Sequence, residues 1–191
     1  MTLLEKKILV AEADIRLKEF AKVNKITLDE RIINVPVYFF DEYWSIHRPI
    51  GNYDYTPDEM MEDLGDSEGM LIPDQSGRKL AYVILMPERM EKYDRNYKVT
   101  IITHEKLHYL DFLMRYERKY DGRDESEIES EVEIMSLCIV RASEKPILEA
   151  LKLPELYNQS SYFNSGIFEE IKETLKKIGR KEFERRLSCI L

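Results

Sequence analysis

Apolar residues recur at helical spacing from the first residues onward: Leu3, Leu4, Ile8, Ala11, Ile15 and Phe20, with charges between them. This pattern predicts a helix over residues 2–23. Residues 33–40 (INVPVYFF) form a β-rich run, and Pro36 marks it as an edge or irregular strand. Residues 41–56 gather aromatics around Gly51 and Pro49 and read as a loop; 58–64 read as a short helix. The apolar run 69–73 (GMLIP), the turn chemistry of 74–78 (DQSGR) and the run 80–86 (LAYVILM) together predict a β-hairpin. Pro87 ends its second strand.

From about Asn96 the period becomes helical and stays so to about Tyr120, where Asp121 and Gly122 break it. A second helix is expected from about Glu125 to Ala142, with Pro146 beyond it. A last helical region covers 168–189, interrupted near Gly179, with Ile171, Leu175 and Ile178 along one side. Strands precede the main helices, so the expected class is α+β in one domain, with a core of about 27–146 and a helical region of about 147–191.

Composition narrows the functional classes. The chain has 191 residues, enough for one domain with a substantial core, and 35% of them are charged. No apolar run reaches the length of a membrane helix. The N-terminal residues mix acids and bases and lack the apolar block of a signal peptide, so a cytoplasmic location is expected. Two cysteines, Cys138 and Cys189, are too few for a disulfide framework. A net charge of -8 argues against a general nucleic-acid binder. The basic residues Lys172, Lys176, Lys177, Arg180 and Lys181 are interleaved with acids and read as a solvated helix face.

The chemistry concentrates at His104-Glu105-Lys106-Leu107-His108, an H-E-x-x-H sequence. Residues four apart share one helix face, so both imidazoles reach one ion. Zinc accepts neutral imidazole, and a glutamate directly after the first histidine is placed to take a proton from a metal-bound water. The chain has three histidines, and two make this motif; by composition alone it would arise roughly 0.006 times. The flanking Val99, Ile101, Ile102, Leu107, Leu110, Phe112 and Leu113 predict a largely buried helix.

A catalytic zinc takes three protein ligands and keeps a fourth position for water. The next helix offers Glu125, Glu127, Glu129, Glu131 and Glu133. Glu131 borders Ile128, Ile134, Met135 and Cys138, an apolar face where a carboxylate needs a strong reason to be. It is therefore the first choice as third ligand, with Glu133 second and Glu127 third. Glu129 reads as part of a solvated acidic stripe. Asp111, three residues after His108, is a candidate carboxylate to orient a ligand histidine. Tyr109, Tyr116, Tyr120, Arg141 and His47 are candidate donors to an oxyanion.

The His, His, Glu set resembles the gluzincin arrangement of the zincin superfamily. More narrowly, the chain resembles the ImmA/IrrE family of small bacterial metallopeptidases. A strand and polar link lead into the motif (LAYVILMPERMEKYDRNYKVTIITHEKLH), and residues 131–138 (EVEIMSLC) match the polarity pattern of that family's second helix. Pro146 follows it, and the resemblance spans about 69–146. Leu107 stands where members usually carry glycine, and Ile134 and Cys138 where they carry alanine, which marks a distant member. The resemblance implies a zincin-like fold, in which a small mixed or antiparallel sheet packs on the active-site helix and a second ligand-bearing helix. It also implies Zn2+ on His104, His108 and Glu131, with Glu105 as general base. The expected substrate is a protein or peptide, including a regulatory protein, laid along an edge strand. The alternative is a regulatory protein that keeps this scaffold and cleaves nothing.

Overall fold

Thr2 opens the first helix with a capping box: its hydroxyl accepts from Glu5 N, and the Glu5 carboxylate accepts from Thr2 N at 2.6 Å. The computed structural model describes residues 1–40, 69–73, 82–86, 92–118 and 125–153, with isolated positions between and after them. Helix α1 spans Leu3–Val23. Its Leu9, Ala13, Leu17, Phe20 and Ala21 are buried, whereas Leu4, Ile8 and Ile15 face outward. The aromatic loop with His47, the 58–64 helix, the 74–78 turn, Tyr120 and the 168–189 region fall outside the described stretches.

The run 33–40 does not form one strand. Asp29 accepts a hydrogen bond from Arg31 N and starts a short helix, α2 (Glu30–Asn34). Proline at position 36 cannot continue that helix, and the strand β1 is left with Val37–Phe39. Strands β2 (Met70–Pro73) and β3 (Tyr82–Met86) pair antiparallel, Met70 opposite Leu85 and Pro73 opposite Tyr82. β1 runs parallel to β3, giving a three-stranded mixed sheet in the order β1-β3-β2 among the described residues. β2 thus borders the sheet.

Two long helices follow: α3 (Arg95–Arg118) and α4 (Glu125–Ala142), then the short α5 (Ile147–Ala150), which starts at Pro146. From Tyr97 to Asp111, α3 is buried around most of its circumference. Val99, Ile102 and Leu107 are fully enclosed, and Thr103 is buried with its hydroxyl donating to Val99 O at 2.8 Å. One core cluster joins α1, α2, α3, α4 and α5 through Leu17, Phe20, Ile32, Leu107, Val132, Met135 and Ala150. A second places Ile84 and Met86 of the sheet against Leu9, Val99 and Ile102. These two cores hold α3 between the sheet and helices α1, α2 and α4. Its histidine-bearing face is turned to α4. Among the described residues no helix is long and apolar enough to cross a membrane.

Candidate metal centre

His104 and His108 lie one turn apart on α3, where that helix faces α4. Their rings meet edge to face with centroids 4.6 Å apart, and the two Nε2 atoms are 2.9 Å from each other. The Glu129 carboxylate closes the triangle. One oxygen lies 2.9 Å from His104 Nε2 and the other 3.0 Å from His108 Nε2. Behind His104, Glu133 Oε2 lies 3.0 Å from Nδ1, an ion-pair separation whose alignment falls short of a formed hydrogen bond. Glu133 is buried, and its Oε1 has no hydrogen-bond partner.

This arrangement fits a cation. Each Nε2 faces both a carboxylate oxygen and the other imidazole, yet carries at most one proton. Two imidazole nitrogens and one carboxylate therefore converge on one point. A tetrahedral zinc with bonds of about 2.0–2.1 Å sets its ligand atoms about 3.3–3.4 Å apart, so the triangle needs to open by only a few tenths of an ångström. The donor set of two imidazoles and one carboxylate matches zinc chemistry. The electrostatics agree: burial works against a charged His104, yet Glu129 and Glu133 hold its proton affinity well above the imidazole norm. Burial likewise raises the Glu129 carboxyl, but the two imidazoles outweigh it and hold the group well below the ordinary carboxylate range. Both shifts describe one interaction, in which imidazole and carboxylate favour each other's charged forms.

Glu105 sits one position round α3 from His104 and is 7% exposed. Burial raises its pKa; the nearby imidazoles oppose that, and Glu129 and Glu133 add to it. Its side chain lies against Gly69, the residue before β2. A Cβ there would stand 2.7 Å from Glu105 Cγ and 2.8 Å from Oε1. The carboxylate thus occupies the junction between α3 and the start of the border strand.

The structure brings together His104, His108 and Glu129. Glu131, the first choice from sequence, does not join them. It lies about 200° round the helix from Glu129 and is fully buried on another side of α4. The reason the sequence pointed away from Glu129 is physical. A buried-carboxylate argument favours the apolar face of α4, but this cluster lies at an opening between helices, where Glu129 is 44% exposed. No signal in the sequence singles it out: Glu129 and Glu133 stand four apart, as His104 and His108 do, but so do Glu127 and Glu131. Glu133, second choice as a ligand, stands on the far nitrogen of His104 instead. Asp111 is buried on α3, and Tyr109 packs against the sheet-side core. Arg141 lies in the last turn of α4, its Nε without a hydrogen-bond partner.

No protein-family model, no curated protein and no solved structure matches this chain.

Proposed function

We propose that the protein is a zinc-dependent metallopeptidase of zincin type, distantly related to the ImmA/IrrE family, acting in the cytoplasm on a protein or peptide substrate. The observation that carries this reading is the meeting of the His104 and His108 Nε2 atoms with the Glu129 carboxylate within about 3 Å, beside a buried Glu105. His104, His108 and Glu129 would hold the ion, and Glu133 would keep the His104 ring oriented through its second nitrogen. Bound there, zinc would supply an acidic water and polarise the scissile carbonyl.

Glu105 does the proton work. Its carboxylate takes one proton from the attacking water and returns it to the departing amine. Peptide and water thereby become a carboxylic acid and an amine. Burial, which raises the proton affinity of Glu105, suits a group that must both accept and release a proton. The border position of β2 supports an extended substrate laid along it, since Gly69 at its start abuts Glu105 and an added strand would pass the reacting carboxylate.

Elemental analysis of wild type, His104→Ala, Glu129→Gln and Glu131→Gln tests the ligand set. Stoichiometric zinc is expected in wild type and in Glu131→Gln, with loss in the other two. Zinc retained by Glu129→Gln and lost by Glu131→Gln would reverse the assignment in favour of the residue the sequence pointed to. Glu105→Gln separates an enzyme from a silent scaffold: it is expected to keep zinc and to lose cleavage of an unfolded protein such as reduced casein. Equal behaviour of wild type and Glu105→Gln toward a panel of unfolded proteins would refute the peptidase reading.

A further inference from the structure

Lys106 lies between the two histidines of the motif and is fully buried. A lysine in that state needs acceptors for the protons of its ammonium. Three surround it. Nζ lies 2.9 Å from Asp14 Oδ1 on α1, and it donates to Ile32 O at 3.0 Å and to Ile33 O at 3.3 Å on α2. The two carbonyls belong to the last turn of α2, where backbone oxygens lack helical partners and carry the negative end of the helix dipole. Just beyond, Pro36 O accepts from Ile84 N, tying this corner to the central strand.

The helical wheel sets Lys106 about 200° from His104, opposite the face that carries both histidines. Apolar packing encloses α3 but is non-directional, so it discriminates less sharply between rotations about the helix axis. An ammonium that donates to two carbonyls of α2 and ion-pairs with a carboxylate of α1 discriminates sharply. We propose that Lys106 is a positioning residue for the metal centre: locked to Asp14 and to the end of α2, it fixes the rotation of α3 so that His104 and His108 meet Glu129. This rests on the proposed metal site.

The test compares zinc affinity, measured by competition with a chromogenic chelator, in folded wild type, Lys106→Met and the double variant Asp14→Leu/Lys106→Met. The double variant removes both charges of the pair, so that loss of Lys106 leaves no unpaired carboxylate behind, and it decides the matter should Lys106→Met not fold. Leu9→Ala, a buried residue of α1 in the sheet-side core, serves as a variant that loses stability without touching the lock. The expected result is zinc binding about tenfold or more weaker in the lysine variants, the scale seen when partners that orient ligands are removed, with affinity unchanged in Leu9→Ala. Wild-type affinity in the folded lysine variants, or an equal loss in Leu9→Ala, would overturn the positioning role while leaving the metal site standing. No zinc uptake by wild type itself would overturn both.

Discussion

Gly69 offers a direct test of where Glu105 sits. Replacing it with alanine adds one carbon, which would stand 2.7 Å from Glu105 Cγ, 2.8 Å from Oε1 and 3.0 Å from Cδ. Carbon atoms rest at about 3.5–4.0 Å, so about 0.8–1.3 Å of separation has to be found. The backbone at Gly69 is not in the left-handed region, and alanine there carries no conformational penalty of its own. Glu105 belongs to a helix enclosed by two cores, so α3 does not yield. Either the carboxylate swings aside or the start of β2 lifts. Overpacking of this kind costs about 1–3 kcal/mol. For a chain of this length each kcal/mol lowers the melting temperature by about 2–4 °C. In Glu105→Ala all three contacted atoms are gone, and the alanine at 69 fits. A double-mutant cycle by thermal and denaturant unfolding, with a chelator present throughout, should return a coupling of about 1–3 kcal/mol between the two positions. If Gly69→Ala costs as much in the Glu105→Ala background as in wild type, the contact is not its cause, and Glu105 does not lie against this strand.

Other expectations rest on the same geometry. Glu133→Gln leaves the three ligands in place but removes the charge behind His104, so zinc affinity should fall about 10–100-fold by chelator competition. The Cys138 thiol is buried and its pKa is pushed up to about 12, so in a Cys189→Ser background the native protein should not react with a thiol reagent at pH 8 while the denatured protein reacts fully. The same shift has a stability sign. The folded state holds the thiol proton where the unfolded state releases it, so unfolding titrations should show stability falling as pH rises from about 9 toward 12. Leu9→Ala removes a buried side chain from the sheet-side core and should lower unfolding free energy by about 2–5 kcal/mol in denaturant titrations.

Much of the scaffold is legible in the chain itself. Four-residue spacing puts His104 and His108 on one side of a helix, because helical geometry is local. The apolar flanks indicate that this helix is enclosed, and Val99, Ile102 and Leu107 are. Turn residues between two apolar runs point to the pairing of β2 with β3, since hairpins form between neighbours in the chain. The break of the 33–40 run into α2 and β1 is less legible, because apolar β-branched residues suit either a strand or a buried helical turn, and the cap at Asp29 decides.

Which residues meet across elements is settled by the packing of the chain. The rotation of α4 turns Glu129 and Glu133, not Glu131, to the histidines, and the sequence of α4 alone, with glutamate at every second position from 125 to 133, does not choose among them. The partners of Lys106 come from residues 14, 32 and 33, and the residue that abuts Glu105 is Gly69, separations that no local pattern encodes. A side chain's periodicity fixes the face on which it stands. The packing of the whole chain fixes what that face meets.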